Sequence, residues 1–282
     1  MYALSDQSPL VYDLRNQPPT LGGILTRIVE GQTRSGLESS TLYIDVTGHI
    51  DEETLRVWEG IAGLQASKVV IRKFPAQTYI DSREVEPAYS LRTLSELWLA
   101  DSGNRFFLKW KEEEVRDVRE TLAQLGSPVI TVHFRNQDNI ENRILESFRQ
   151  AILEVADSPD FRGAKFVLVG EKPTGTSWDA SWFTSSDEIG WGLPQELIAS
   201  QVADCFIGVA SGFCSAAIFS NSPYLIYKDP EHHRQHVSRD IGPDGGIVFA
   251  APEQKLFRQF PDSSHMLEAL RDSLRLNVSH PE

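Results

Sequence analysis

The sequence predicts an α/β protein of two domains, each a parallel sheet flanked by helices. Three observations predict it. Short apolar runs alternate with stretches of helical spacing along most of the chain, a pattern that builds parallel sheets through right-handed crossovers. One run, Pro128 to Asp138 (PVITVHFRNQD), passes from apolar residues straight into His133, Phe134, Arg135 and Asp138. Another stretch, Asp204 to Tyr227, holds a buried-type strand (CFIGV), a break at Ala210-Ser211-Gly212, a small-residue helical segment and a further apolar strand (YLIY) after Asn221-Ser222-Pro223. Strand ends of this kind are where an open α/β sheet keeps its ligands.

The elements follow in order. Leu10 to Leu14 and Thr41 to Val46 read as strands, with Leu21 to Glu30 as a helix between them. Asp51 to Leu64 places Leu55, Trp58, Ile61 and Ala62 at helical spacing and leads into the strand Lys68 to Arg72. Ser90 to Ala100 and Lys109 to Leu125 read as helices, the second with a charged, solvated face. Gly126-Ser127-Pro128 stops that helix and starts the strand with the His-Arg pair, which sets the domain boundary. The domains are 1–126 and 127–260, followed by a C-terminal helical segment, 261–282. The second half continues with the helix Asn142 to Ala156, the strand Lys165 to Gly170, the helix Pro194 to Val202, the strand Cys205 to Val209, the helix Phe213 to Phe219, the strand Tyr224 to Tyr227 and the helix Ser263 to Leu276.

Composition narrows the function. With 282 residues, 40% hydrophobic and 24% charged, the chain is long enough for two domains of ordinary size. A net charge of −13 argues against a general nucleic-acid binder, whose affinity depends on clustered cations. A small anionic ligand needs only local positive charge. No apolar run reaches the ~20 residues that span a bilayer, and MYALSDQSPL lacks the regions of a secretion signal, so the expectation is a cytoplasmic protein with no integral membrane segment. The two cysteines, Cys205 and Cys214, have neither zinc nor redox spacing and read as buried and reduced.

The His133-x-Arg135 strand end points to a phosphate or carboxylate site, because guanidinium binds such anions with a planar fork and stays charged. Ser211 and Gly212, at a strand-to-helix turn that lets a ligand approach the backbone, read as a phosphate seat. Lys172 and Lys228 fall near strand ends in the same half and are candidates for further positive charge. Each feature also has an ordinary structural reading: a strand leaving the core, a tight turn, a solvated lysine.

Together the two segments resemble the nucleotide-binding half of GT-B glycosyltransferases, in particular the fucosyltransferase-like and O-fucosyltransferase-like group. The resemblance implies two Rossmann-like domains facing across a cleft. His133 and Arg135 match that group's H-x-R element, and Ser211 with Gly212 matches its Ser-containing turn for the donor diphosphate. The turn is also similar to the Asp-Ser-Gly turn of heptosyltransferases, except that Ala210 stands where that group carries its acid. In the first half, Gly22 and Gly23 are loosely similar to the fucosyltransferase-like group's Gly-Gly element, and Arg27 stands near that group's later Arg, with the spacing off by one. The last helix would, in that family, pack back on the first domain.

The function so implied is transfer of a sugar from a nucleotide-diphosphate donor to a hydroxyl on a glycan, lipid-linked or protein acceptor. Arg135 would neutralise the departing diphosphate, with Phe213 and Lys228 beside the donor. His133 would orient the phosphate or Arg135, and Asp138 would cap the loop or pair with Arg135. No metal or other cofactor is required by this scheme. Asp13, Arg15, Asp45 and His49 lie at strand ends of the first domain, and Asp13 and Asp45 are the candidates for the base that takes the acceptor proton. Alternatives are a polysaccharide pyruvyl transferase, a sugar-nucleotide epimerase-like enzyme, or a non-catalytic binding protein of the same fold.

Other chemistries lose support. A nucleophile elbow needs Gly two residues either side of Ser211, where Val209 and Phe213 stand. His232, His233 and His236 lack the Glu of a metalloprotease helix, and the chain has no Walker loop and no G-x-G-x-x-G after a strand.

Overall fold

A computed structural model describes residues 10–15, 18–35, 41–74, 91–100, 106–135, 142–170, 181–231 and 246–274. The chain divides into two compact units, Met1–Glu114 and Val115–Glu282. Both are parallel α/β units, as the alternation of apolar runs and helical stretches leads one to expect.

In the first unit, β1 (Leu10–Asp13), β2 (Leu42–Thr47) and β3 (Val69–Phe74) form a parallel sheet in that order. Helix α1 (Leu21–Ser35) connects β1 to β2 and α2 (Glu52–Gly63) connects β2 to β3. Both helices bury apolar stripes: Ile24, Leu25, Ile28 and Val29 from α1, and Trp58 and Ile61 from α2. Asp51 caps α2 by accepting the Thr54 amide at 2.7 Å, and Glu52 and Glu53 follow in the first turn, where negative charge suits the helix dipole. Helix α3 (Arg92–Ala100) follows, and Trp110 makes an antiparallel bridge back to Gln65.

The second unit is a six-stranded parallel sheet entered from α4 (Glu112–Leu125). Its strands are β4 (Val129–His133), β5 (Lys165–Val169), β6 (Phe183–Ser185), β7 (Cys205–Val209), β8 (Tyr224–Tyr227) and β9 (Gln254–Phe257). All pairs are parallel, in the order β6-β5-β4-β7-β8-β9. The chain runs outward from β4 through β5 to β6, returns to the other side of β4 at β7, and runs outward again. This is the doubly wound Rossmann order, and its direction reverses between β4 and β7. Every residue of β4, β7 and β8 is buried, as expected of strands covered on both faces.

Helices α5 (Asn142–Asp157), α6 (Ser186–Ile189), α7 (Leu193–Val202), α8 (Ser215–Ile218) and α9 (Ser263–Leu274) complete the unit. The core joins Phe148 and Ile152 of α5, Phe166, Ile207 and Tyr227 of the sheet, and Met266 and Leu270 of α9. Helix α9 lies against α5, and its Arg271 forms an ion pair with Asp160. No helix among the described residues is long and apolar enough to cross a membrane.

Candidate anion-binding site

Strands β4 and β7 are neighbours with His133 in register with Gly208, so the residues just beyond their carboxyl ends converge. His133 Nε2 lies 2.9 Å from Ser211 Oγ, a partner 78 positions away in the chain. Arg135 Nη1 donates to the Ala210 carbonyl at 3.3 Å. The two segments singled out in the sequence therefore form one site, at the reversal of strand order.

The direction of each hydrogen bond follows from chemistry. His133 Nδ1 lies 3.2 Å from the Val169 carbonyl oxygen. A carbonyl only accepts, so Nδ1 carries the proton and the bare Nε2 of neutral His133 accepts from the Ser211 hydroxyl. Ser211 Oγ in turn accepts the Phe213 amide at 3.2 Å. The ring of Phe213 stacks on His133, centroids 4.4 Å apart and planes 11° from parallel. Burial pushes the His133 pKa down from 6.5 to about 4; the charge of Arg135 acts in the same sense and the Val169 carbonyl opposes it. The imidazole is thus neutral at pH 7.

Two residues absent from the sequence-based site hold this arrangement. Gly170 has φ +78°, and a Cβ there would stand 2.8 Å from His133 Nδ1, so the position requires glycine twice over. Its amide donates at 3.1 Å to Oε1 of Glu196, a buried carboxylate that also accepts from Ser186 Oγ. In the sequence Glu196 sits in the first turn of a helix after Pro194, where an acidic residue is commonplace. Only the position of α7 reveals its contact with the end of β5.

The turn after β7 differs from the expected helix Phe213–Phe219. The amides of Cys214, Ser215 and Ala216 bond to the carbonyls three residues back, and α8 covers only Ser215–Ile218. The side-chain amide of Gln201 donates to the carbonyls of Ala216 and Phe219 at the end of this turn. A single turn of helix supplies little dipole. Among the described residues, the backbone amides of Ser211 and Gly212 have no hydrogen-bond partner. They are the groups this turn can offer an anion.

Two cations add to them. Arg135 and Lys228, at the ends of β4 and β8, both act on the buried Cys214 thiol to favour its ionised form. Burial outweighs them and pushes that thiol up to about 11. Cys214 Sγ donates to the Val209 carbonyl at 3.3 Å and lies 3.8 Å from Ser211 Oγ.

In the first unit, Asp13 is buried at the end of β1 and accepts from Arg15 Nε at 2.8 Å, Arg15 Nη2 at 2.7 Å and Thr47 Oγ1 at 3.2 Å. The hydrogen bonds from Arg15 hold its carboxyl below the usual carboxylate range, against the effect of burial. Buried Asp45 accepts from Arg72 Nε at 2.7 Å, and that guanidinium lies 4.4 Å over the Tyr43 ring. Both candidate bases are therefore ion-paired. His49 is exposed, and Arg27 is buried beside Glu30. Gly22 and Gly23 open α1, but the space a side chain at Gly23 would fill holds the Tyr12 hydroxyl, which donates to the Pro18 carbonyl at 2.9 Å. Asp138, Lys172, His232, His233 and His236 lie outside the described residues.

No protein-family model matches the chain, and no curated protein matches it in sequence. Among solved structures it is similar to "E. coli heptosyltransferase WaaC with ADP", at 11% identity and a TM-score of 0.45 over 95% of this chain and 98% of that one. It is also similar to the glycosyl transferase family 9 structure from Veillonella parvula DSM 2008, at 12% identity and a TM-score of 0.38 over 91% of this chain and 71% of that one. At such identities and scores neither likeness assigns a substrate.

Proposed function

We propose that this chain is a glycosyltransferase that moves a sugar from a nucleoside-diphosphate donor to a hydroxyl acceptor without a metal ion. One observation carries the reading: His133, Arg135, Ser211 and Gly212 meet at the carboxyl ends of β4 and β7. These strands flank the reversal of strand order, where open α/β sheets bind nucleotides. The diphosphate would lie against the Ser211 and Gly212 amides with Arg135 and Lys228 beside it. Negative charge grows on that leaving group as the glycosidic bond breaks, so fixed positive groups there stabilise the transition state. The base is assigned to Asp13 or Asp45, either of which must part from its arginine to take a proton.

The test is release of nucleoside diphosphate from a panel of sugar nucleotides. The expected result is turnover of one donor, reduced about 100-fold or more in Arg135→Ala, as when a transition-state donor is removed elsewhere. A variant that binds and turns over donor like the wild type refutes the reading. A second reading, a nucleotide-binding protein without catalysis, is favoured by the pairing of both candidate bases with arginine. It predicts binding with no turnover by the wild type.

A further inference from the structure

The Ser211 hydroxyl has one proton, and in the unliganded site that proton is committed to His133. Val169 fixes the commitment, because its carbonyl keeps the imidazole proton on Nδ1 and leaves Nε2 bare. The serine oxygen already accepts the Phe213 amide, so what it presents outward is lone-pair density beside the Ser211 and Gly212 amides. A phosphate oxygen arriving there meets a repulsive group in an otherwise attractive turn. One change removes the conflict. If Nε2 gains a proton it donates to Ser211 Oγ, and the hydroxyl proton is free to turn to the anion.

We propose that a phosphate seated at this turn is bound together with one proton taken from solvent onto His133 Nε2, which reverses the His133–Ser211 hydrogen bond and makes the Ser211 hydroxyl a donor to the phosphate. The proposal rests on the reading of the turn as a phosphate seat, and assigns His133 the part of a positioning residue that sets the direction of the serine proton.

The charged and titratable groups around the imidazole fit this role. Arg135 comes from the end of its own strand, and Lys228, at the end of β8, acts on the Cys214 thiol of the same turn. From β5 come the Val169 carbonyl and Gly170, the latter bonded to the Glu196 carboxylate of α7. From the turn after β7 come the Phe213 ring and the Cys214 thiol. Burial and Arg135 hold the free imidazole at a pKa of about 4. An anion beside it offsets the guanidinium charge and adds an attraction of its own, so the liganded imidazole titrates higher. By linkage, affinity rises as pH falls, by up to about tenfold per pH unit for one proton, over a window that starts at the liganded value and ends near 4.

The experiment uses the full chain labelled with 15N-histidine and inorganic pyrophosphate as probe. His133→Gln identifies the His133 signals among the seven histidines. In the free protein at pH 7 the expected state is a proton on Nδ1 and none on Nε2. With saturating pyrophosphate at pH 6 both nitrogens should be protonated, and the extra pH dependence of pyrophosphate affinity should shrink in Ser211→Ala and vanish in His133→Gln. That variant also removes the probe's own titration from the comparison, since it is common to both proteins. If pyrophosphate binds while Nε2 stays bare from pH 5 to 8, the proton coupling is wrong and the seat stands. If pyrophosphate does not bind at millimolar concentration, the seat is wrong and the coupling falls with it.

Discussion

Replacing Gly170 with alanine tests whether the site is built around His133. The backbone there has φ +78°, a conformation that costs a non-glycine residue about 1–2 kcal/mol. The added Cβ would also stand 2.8 Å from Nδ1 and 3.0 Å from Cε1 of the imidazole, so the ring must retreat by roughly 0.6 Å to reach ordinary contact. Phe213 stacks on the ring and resists that movement. Retreat strains the bonds to Val169 and Ser211, each worth about 1 kcal/mol net. The expected loss is about 3–4 kcal/mol. Gly163 provides the control: its φ is +96° and a Cβ there meets nothing within 4 Å, so Gly163→Ala carries the backbone cost alone. Urea unfolding of both variants at pH 7, with pyrophosphate affinity measured on each, separates the two effects. Gly170→Ala should lose about 2 kcal/mol more than Gly163→Ala and should alone lose affinity. Equal losses in both assays would mean that the imidazole does not hold the site.

Three further outcomes follow from the same geometry. His133 has a folded-state pKa below its unfolded value, so the unfolded chain binds more protons between pH 6.5 and 4; stability from this group is full above 6.5 and declines by about 3 kcal/mol as pH falls to 4, and the wild-type profile should show an acid-side slope that His133→Gln lacks. Glu196→Ala leaves the half-buried Gly170 amide and the buried Ser186 hydroxyl without their shared acceptor and should cost about 2–3 kcal/mol in urea unfolding; a loss under about 0.5 kcal/mol contradicts the role given to Glu196. Burial raises the pKa of both Cys205 and Cys214, so iodoacetamide at pH 8 should label neither thiol in the native protein and both after unfolding; rapid native labelling at Cys214 would show that the turn is open.

The strands that carry the site were legible because burial on both faces makes them unbroken apolar runs: Cys205–Val209 and Tyr224–Tyr227 have the bounds the sequence predicts. The sheet's outer strands were not. β6 is three residues with Thr and Ser, and β9 is Gln-Lys-Leu-Phe, too short and mixed for either alternation or an apolar run to appear. Helix α1 runs five residues beyond the expected Glu30, through Gly31, Gln32 and Thr33, because packing on β1 and β2 overrides weak local propensity. Chemistry-bearing residues at strand ends, His133, Arg135 and Ser211, could be named from type and position alone. That His133 touches Ser211 depends on β7 lying beside β4, which strand order decides and local sequence does not encode. The same holds for the contact of Gly170 with Glu196, 26 positions apart, and for its approach to His133. The pairing of Asp13 with Arg15 was within reach of the sequence, as a contact two residues apart, whereas Asp45 with Arg72 required the register of β2 on β3.

Thermal shift of the purified protein with GDP, UDP, ADP, dTDP and CMP, in the wild type, Arg135→Ala and Ser211→Ala, decides whether the turn after β7 and the end of β4 seat a nucleoside diphosphate. A ligand that binds only the folded state raises the midpoint by mass action, about 2.7 kcal/mol of stabilisation at a hundredfold excess over Kd. The expected result is a selective rise with one diphosphate that is lost in Arg135→Ala and weakened in Ser211→Ala. No rise with any nucleotide at millimolar concentration, or a rise that both variants keep in full, contradicts it.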